Sequence, residues 1–260
     1  MTIYNRANLL ETTLKSFDKQ LYSKKDYEIV LVDDQSTDNI ADVIRAFPDI
    51  NIKHIIMDKS KSFYHVAANC PALGLNIGFK EAQGEIIFKT DPEMYQVGET
   101  LQLAELLYRE DKMLFGASYW LSKYFTRICG RIDDEEIIKI GNEQTDRDNV
   151  FPLVNNEVKA PLYFMCVMSR KAIHAIRGID ERFLEGIACD DDDFAERMQV
   201  WGCQWAWNWG LVGLHQYHGP LWWQKPGQGF NSPLYIHNRK MLDERLAPIG
   251  RTIHNRTSSE

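Results

Sequence analysis

Alternation between apolar strands and amphipathic helices is the feature that most constrains how this chain folds. Three apolar runs, YEIVLVDD, NIKHIIM and EIIFKTD, follow one another within residues 27–91. Strands that alternate with helices need crossover connections, which are right-handed, so the sequence predicts the α/β class with a mostly parallel central sheet flanked by helices. Apolar residues recur at helical spacing before and between these runs, at Leu10, Leu14, Phe17 and Leu21, at Ile40, Val43, Ile44 and Phe47, and at Ala72, Leu75, Phe79 and Ala82.

Acidic residues follow two of the predicted strands. Asp33 and Asp34 end the first run, and Asp91 ends the third. Open parallel sheets bind ligands at the carboxyl ends of their strands, so these carboxylates are expected to converge on one crevice. Asp38 is expected to cap the second helix, because an aspartate ahead of an apolar periodic segment accepts hydrogen bonds from its first turn.

The second half of the chain has less regular patterns. Residues 97–115 indicate a helix that leads into a strand, whereas the charged stretch at 131–150 is interpreted as a mobile loop or lid. The run YFMCVMS predicts a strand and RKAIHAI a short helix. All but one of the seven tryptophans lie between Trp201 and Trp223, and the residues after Asp243 are interpreted as a poorly ordered polar tail.

Composition limits the classes of partner. The chain has 260 residues, is 44% hydrophobic and carries a formal net charge of -7, which fits a globular protein and argues against nucleic acid as a partner. No transmembrane segment and no signal peptide are recognisable, so the expected location is cytoplasmic. The five cysteines are scattered without a CxxC pair, which favours reduced thiols over a disulfide framework or a zinc site.

Two short segments offer ligands for a cation. In DPE, Asp91 and Glu93 flank a proline at a strand end, an arrangement suited to a hard divalent cation and the diphosphate it bridges, although acidic surface turns of this kind are common. In LHQYHGP, the three-residue spacing allows His215 and His218 to share one side of a turn and to join Glu93 around Mn²⁺. The alternative is a pair of hydrogen-bonded histidines in an aromatic surface loop.

Four consecutive aspartates, Asp190 to Asp193, precede an amphipathic helical pattern. Acids in a first helical turn interact favourably with the helix dipole, and Asp190 with Asp193 could form the equivalent of a capping box. Capping accounts for two of these residues and not for four. Because crowding by like charges raises a carboxyl pKa, the remaining acids are candidates for a general base that deprotonates a hydroxyl group.

The ordered motifs resemble those of the family 2 glycosyltransferases and their relatives with the GT-A fold. The segment TIYNRANLLETTLKSFDKQLYSKKDYEIVLVDDQSTD is similar to the opening of that family, although few apolar residues precede its Tyr-Asn-Arg motif here. NIGFKEAQGEIIFKTDPE resembles the segment leading into the family's Asp-x-Asp metal motif, with Glu93 as the second acid. GIDERFLEGIACDDDDFAERMQVWG is similar to the acceptor-side segment, which reads Glu-Asp-Asp-Asp in beta-1,4-galactosyltransferase relatives.

The resemblance implies a role for each matching position. Asp190 and Asp191 would be catalytic, with Asp191 as the base and Asp190 in place of the family's glutamate. The cofactor would be Mn²⁺ or Mg²⁺, and the partners a nucleotide-sugar donor, with a UDP-sugar favoured, and a glycan or glycoconjugate acceptor. Implied nucleotide-binding residues are Thr2, Tyr4, Arg6, Asp34 and Asp91, and implied metal ligands are Asp91, Glu93, His218 and His215.

The same resemblance implies a single GT-A domain, with a nucleotide-binding half at 1–95, an acceptor-binding half at 96–242 and a polar tail at 243–260. Direct displacement with inversion is the expected reaction. Three alternatives remain open at this point: a retaining transferase on the same fold, a catalytically inert module that binds glycans through its tryptophans, and a nucleotidyltransferase. The last is disfavoured because no early glycine-rich loop is available to bind a triphosphate.

Overall fold

The computed structural model describes residues 1–58, 60, 71–143, 145–146, 148–154, 164–219 and 229–249. Its strands are β1 (Thr2–Ile3), β2 (Ile29–Asp33), β3 (Ile52–Ile56), β4 (Ile86–Thr90), β5 (Met94–Val97), β6 (Lys112–Leu121), β7 (Val150–Val154), β8 (Met165–Ser169) and β9 (Gln204–His215). Its α-helices are α1 (Ala7–Asp18), α2 (Ile40–Arg45), α3 (Ala72–Glu81), α4 (Thr100–Leu107), α5 (Lys123–Ile128), α6 (Asp134–Glu143), α7 (Arg170–Ala175), α8 (Asp190–Trp201) and α9 (Pro233–Leu246).

Two sheets make up the framework. Strands β1, β2 and β3 form a three-stranded parallel sheet in that order, so the predicted pattern of strands and crossover helices is confirmed for the first part of the chain. The second sheet has six strands in the order β4-β8-β6-β9-β5, with β7 added beside β6. In this second sheet β6 and β9 pair in parallel and the other pairs are antiparallel, so parallel pairing is less general than the sequence predicted.

Helix α1 has two buried faces of opposite character. Leu10, Leu14 and Phe17 pack into the core of the parallel sheet, as the helical spacing predicted. On another face, two polar residues are buried and bond the helix to the segment around β5: Thr13 donates to Pro92 O, and Ser16 accepts from Gln96 N. The buried Gln20, just after the end of the helix, donates to Gly98 O. A polar interface of this kind fixes the position of β5 along the helix, because each bond has one geometry.

The end of α1 differs from the prediction. The helix stops at Asp18, and Leu21 is 86% exposed rather than part of the apolar face. Asp38 does not cap α2, whose N-cap is Asn39 and has no side-chain hydrogen bond. Instead, the Asp38 carboxylate accepts a hydrogen bond at 2.8 Å from the backbone N–H of Ala7, the first residue of α1. Asp38 thus accepts a hydrogen bond from the start of a helix, as predicted, but that helix is α1 rather than α2.

The charged stretch at 131–150 is structured where it is described, and its interpretation as a mobile loop or lid is wrong. Helix α6 occupies most of it, with three acidic residues in its first turn, where the helix dipole favours them. Ile137 is fully buried and packs with Tyr119, Leu121 and Val150. Ile138 and Ile140 are partly buried and pack against the same cluster.

The polar tail predicted from residue 243 overlaps the last turn of a helix. Helix α9 runs through residue 243 to Leu246, and both Leu242 and Leu246 are buried against Phe183 and Cys189. The part of the predicted tail at 250–260 lies outside the described residues. Strand β5 likewise crosses the predicted division at residue 95 and pairs with β9 in the second sheet.

The remaining features concern thiols, the membrane and cavities. Cys129, Cys166, Cys189 and Cys203 are free and buried, as expected for reduced thiols, and Cys70 lies outside the described residues. None of the described helices has both the length and the apolar character needed to span a membrane.

An apolar cavity of about 180 Å³ lies between the two sheets, lined by residues of β2, α3 and β4, and it contains none of the metal-ligand candidates described below.

We predict that Leu246→Ala lowers the free energy of unfolding by about 2 to 4 kcal/mol, because a fully buried leucine side chain is removed and leaves a cavity. Urea denaturation of the wild type and the variant measures this difference. Glu244→Ala, on the exposed side of the same helix turn, should change the free energy by less than about 0.5 kcal/mol. Equal stability of Leu246→Ala and wild type would support the original interpretation as a tail.

Candidate functional site

Within the described residues, Glu93, His215 and His218 form a cluster whose ligand atoms all lie within 4.8 Å of one another. Glu93 directly precedes β5, His215 ends β9, and these two strands pair antiparallel. The Glu93 Oε1 atom is 3.9 Å from His215 Nε2 and 3.5 Å from His218 Nε2. Strand pairing therefore brings together residues that are more than 120 positions apart in the sequence.

Burial dominates the electrostatics of this cluster. The Glu93 residue is only 7% exposed, and its burial raises the pKa of its carboxyl group. Burial lowers the pKa of His215 and of His218 to about 4 each, so both imidazoles are neutral near pH 7. Neutral imidazole is the form of histidine that binds a metal ion.

Aromatic and basic neighbours complete the surroundings. Trp120, the partner of His215 in the β6–β9 pairing, stacks on the His215 ring with a centroid distance of 4.8 Å and an interplanar angle of 18°. The same indole meets the edge of His218 at 5.5 Å. Arg6 Nε lies 3.8 Å from Glu93 Oε2. The cluster thus lies between the Trp120 indole ring and the Arg6 guanidinium group.

The residues present fit a divalent cation. Two atoms that bind one ion at about 2.1 Å are roughly 3 Å apart when adjacent and roughly 4.2 Å apart when opposite, and the two distances from Glu93 Oε1 fall between these limits. Glu93 Oε2 and His215 Nδ1 are buried and have no hydrogen-bond partner among the described residues. A carboxylate with two imidazoles suits Mn²⁺ better than the all-oxygen shell typical of Ca²⁺.

Two loops at the carboxyl edge of the parallel sheet are bonded to each other. Asn5 Oδ1 accepts a hydrogen bond at 2.7 Å from the backbone N–H of Thr37, and the Asn5 N–H donates to Ser36 Oγ at 2.9 Å. The bond from Ala7 N to Asp38 links the same two loops. Asn5, at a φ of 51°, tolerates the left-handed backbone of this turn. These motif residues therefore shape the loops and do not themselves need to contact a ligand.

The predicted nucleotide-binding residues lie along this edge. In the β1–β2 pairing Thr2 lies opposite Val32 and Ile3 opposite Asp33, which places Tyr4 and Asp34 just beyond the paired residues. Tyr4 is 45% exposed, and the hydroxyl of Thr2 is buried without a hydrogen-bond partner among the described residues. An aromatic ring open to solvent and an unsatisfied hydroxyl next to it are features of a ligand-binding edge.

Asp91 pairs with a buried lysine and is not one of the three residues of the cluster. Lys89 Nζ is 2.7 Å from Asp91 Oδ1, and the lysine side chain is 8% exposed. The Asp91 charge nevertheless acts on the cluster: it adds to the effect of burial in raising the pKa of Glu93, and it opposes the lowering of the pKa of His215. The positive charge of Lys89 acts on Asp190, where it opposes the rise in pKa. One buried ammonium group therefore lies within electrostatic range of both acidic segments.

The aspartate run begins helix α8, as predicted, but not as a capping box. The N-cap is Cys189, and no side-chain hydrogen bond caps the helix there. Ala188 and Cys189 both have left-handed backbone, at φ of 60° and 66°, which is strained for residues with side chains. Asn238 of α9 donates to Ala188 O at 2.8 Å and so holds this turn in place. Strain supported by a neighbouring helix is typical of a functional position.

The four aspartates have separate environments. Asp193 is fully buried and paired with Arg197 at 2.7 Å and with Arg245, so its role is structural. Asp190 is 7% exposed, and burial, followed by the neighbouring charge of Asp191, raises its pKa from 3.8 to about 7. Asp191 is half-buried, and its carboxylate accepts a hydrogen bond from the backbone N–H of Asp192. Asp190 and Asp191 thus lie side by side at the start of one helix.

The arrangement described here is that of a GT-A nucleotide-diphospho-sugar transferase fold, and comparison with solved structures agrees. Staphylococcus aureus TarS, residues 1–349, superposes with a TM-score of 0.60 at 18% identity, covering 94% of this chain and 68% of TarS. The mannosyltransferase PcManGT from Pyrobaculum calidifontis, solved with GDP-Man and Mn²⁺, gives a TM-score of 0.57 at 18% identity, covering 96% of this chain and 74% of PcManGT. TarS has also been solved with UDP-GlcNAc.

Sequence comparison concerns mainly the first part of the chain. Residues 1–94 match the profile of Glycosyl transferase family 2. The poly(ribitol-phosphate) beta-glucosyltransferase of Bacillus spizizenii is 30% identical over 99 residues, which are 38% of this chain and 15% of that protein. A validoxylamine A glucosyltransferase of Streptomyces hygroscopicus subsp. jinggangensis is 41% identical over 56 residues, 21% of this chain and 13% of that protein.

These matches confirm the resemblance to the family 2 glycosyltransferases and the GT-A fold. The aligned segment spans only 15% of the length of the first of these relatives, which is a much longer protein. The similarity of the acceptor-side segment to beta-1,4-galactosyltransferase relatives stays a prediction, and so do the individual site residues.

The environment of Asp190 predicts a specific pH dependence of stability. Its pKa is raised on folding, so between about pH 4 and pH 7 the folded protein keeps a proton that the unfolded chain has released. This stabilising contribution is lost as the pH rises through 7. Wild type should therefore lose about 2 to 3 kcal/mol more than Asp190→Asn between pH 5 and pH 8, measured by urea denaturation at both values.

Asp49→Asn, at an exposed position, controls for the loss of a carboxylate elsewhere on the protein and should follow the wild-type pH profile. Parallel profiles for wild type and Asp190→Asn would contradict the assigned burial of Asp190.

Proposed function

We propose that this chain is a metal-dependent glycosyltransferase that transfers a sugar from a nucleotide-diphosphate donor to a hydroxyl group of a glycan or glycoconjugate. The observation that carries the proposal is the cluster of Glu93, His215 and His218 at the end of paired strands. The matches to family 2 glycosyltransferases and to TarS and PcManGT support the same class of reaction. A UDP-sugar is the favoured donor, and inversion is the favoured outcome.

The donor would bind at the carboxyl edge of the parallel sheet. Thr2 lies in β1, and Tyr4, Arg6 and Asp34 follow β1 and β2 at this edge; we assign these four residues to the nucleoside, with Asp91 near the ribose. Arg6 has a further role in this proposal. Its guanidinium lies 3.8 Å from the Glu93 carboxylate, so the nucleoside side and the metal side of the donor site are adjacent.

Glu93, His215 and His218 would hold Mn²⁺ or Mg²⁺, and Asp91 would contribute from the strand end. When bound, such an ion neutralises charge that develops on a leaving diphosphate. The protein's own contribution is a dry, aromatic-lined cluster of neutral imidazoles with a carboxylate. In such surroundings each electrostatic interaction is stronger than in water.

Asp191 would act as the base toward the acceptor hydroxyl, and Asp190 would support it. Both begin α8, and Asp191 is the more accessible of the two. Asp190, with a pKa near 7, would carry a proton in part of the molecules and thereby reduce the crowding of negative charge next to Asp191.

The structure gives less support to an inert module that binds glycans through tryptophans. Trp205 and Trp207 are partly buried and pack against the buried Phe115, so part of their ring surface serves the core. Trp209 packs with the cluster around Tyr119. Trp222 and Trp223 lie outside the described residues.

We predict that Mn²⁺ together with one nucleotide, UDP in the first instance, raises the melting temperature, and that a chelator removes the effect. Saturation at 100 times the dissociation constant contributes about 2.7 kcal/mol. Glu93→Gln should abolish the metal-dependent part, because the amide keeps the shape of the side chain and loses its charge. Differential scanning fluorimetry with UDP, GDP, CDP and ADP measures these shifts.

Glu185→Gln provides a matched control, since Glu185 is also a glutamate close to a histidine, His237, but the pair is exposed. It should retain the wild-type response. A wild-type protein that responds to none of the four nucleotides would exclude a donor site of this kind.

We predict that Asp191→Asn lowers turnover more than tenfold, a loss of at least about 1.4 kcal/mol of transition-state stabilisation, because the amide does not accept the proton. Asp192→Asn removes the same charge one residue away and should remain within about threefold of wild type. Donor turnover in the presence of acceptor gives both rates, and the anomeric configuration of the product distinguishes inversion from retention. Equal activity of Asp191→Asn and Asp192→Asn would remove Asp191 from the mechanism.

A further inference from the structure

Gln216 lies between the two histidines of the cluster in sequence and is 1% exposed. Its side-chain amide nitrogen lies within donating distance of three acceptors, Leu9 O at 3.2 Å, Thr13 Oγ1 at 3.1 Å and Glu93 O at 3.2 Å. Its backbone N–H donates to Glu93 O at 3.0 Å. Gln216 therefore contacts the residue that supplies the carboxylate of the cluster through both its side chain and its backbone.

Thr13 of α1 completes the arrangement from the other side. Its hydroxyl donates to Pro92 O at 2.8 Å and accepts from Gln216. The turn of Pro92 and Glu93 is thus bonded at two consecutive carbonyl groups, one by the helix and one by the end of β9. All of these groups are buried, so water does not compete for the bonds.

The Glu93 carboxylate is hydrogen-bonded to the backbone of its own residue, and Oε2 has no hydrogen-bond partner among the described residues. Its nearest charged or ionisable neighbours are at 3.5 to 3.9 Å, beyond ordinary hydrogen-bond length. The position of the carboxylate relative to the imidazoles is therefore set mainly by the backbone on which it is carried. That backbone is the part that Gln216 and Thr13 hold.

We propose that Gln216 and Thr13 are positioning residues that preorganise the cation site by fixing the Pro92–Glu93 turn against the two histidines. The inference rests on the cation site of the proposed function and adds two residues that no motif identifies. Residues that orient metal ligands typically affect metal affinity by 10- to 100-fold when they are replaced. Neither residue contacts the donor or the acceptor in this assignment.

Gln20 offers a matched comparison within the same interface. It is also a buried glutamine, 6% exposed, with an amide nitrogen that donates to Gly98 O at 2.6 Å and to Ser16 O at 3.2 Å, and an oxygen that accepts from Leu101 N at 3.1 Å. It bonds α1 to the far end of β5 rather than to the cluster. Replacement of either glutamine removes a similar set of buried bonds.

The test compares Mn²⁺ binding by wild type, Gln216→Met and Gln20→Met without nucleotide, by the electron paramagnetic resonance signal of free Mn²⁺. Methionine keeps the approximate volume and removes the donor. The dissociation constant should rise 10- to 100-fold in Gln216→Met and less than threefold in Gln20→Met, with similar decreases in melting temperature for both. Equal weakening in the two variants, or none in Gln216→Met, would overturn the proposal.

Thr13 provides an independent variant if Gln216→Met does not fold. Thr13→Val removes the hydroxyl and should weaken Mn²⁺ binding, whereas Thr13→Ser keeps the hydroxyl and should bind within threefold of wild type. Wild-type affinity in Thr13→Val would contradict the proposal. Absence of Mn²⁺ binding by the wild type would instead exclude the cation site itself, and with it the role of both positioning residues.

Discussion

The burial of the Glu93 carboxylate is the constraint on which the arrangement of this protein depends. A buried charge is costly unless other charges or a metal ion compensate it, and Arg6, His215 and His218 come from two distant parts of the chain to surround it. For these residues to meet, β5 must pair with β9, and α1 must lie along β5. Hydrogen bonds at Thr13 and Ser16 of α1, and at Gln20 just after it, achieve the second condition.

The acidic start of α8 depends on a second set of tertiary contacts. The two left-handed residues ahead of it are held by Asn238, and Asp193 is neutralised by arginines on α8 and α9. Two of the four aspartates are thereby given fixed environments: Asp193 is paired, and Asp190 is buried beside the charge of Asp191, which itself keeps partial access to solvent. Residues of the same type and adjacent in sequence thus have different environments, and the pKa of a carboxyl group depends on its burial and on neighbouring charges.

Regular hydrophobic periodicity predicted the secondary structure of the first part of the chain well, whereas single tertiary contacts gave no signal in the sequence. The strands and helices up to residue 91 were recognisable because each buries one continuous apolar face. The structure brings together Glu93, His215 and His218 from the segments DPE and LHQYH, and their role as metal ligands stays a prediction. Helix α6 was missed because its many charged residues outweighed the isoleucines that pack against the core. Thr13 gave no signal, since a polar residue on an amphipathic helix is ordinarily assigned to the solvent side. Gln216 gave none because its burial results from contacts with distant parts of the chain.

The sequence by itself determined the α/β class, the strands of the parallel sheet and the residue types available for a cation and for proton transfer, because hydrophobic period and side-chain chemistry are local properties. Tertiary structure alone decided that the Asp38 carboxylate bonds to the start of α1, that Asp91 pairs with a buried Lys89, and that burial raises the pKa of Asp190. Each of these outcomes depends on which groups meet across long distances in the sequence and on how far those groups are desolvated. Neither can be read from a local sequence pattern.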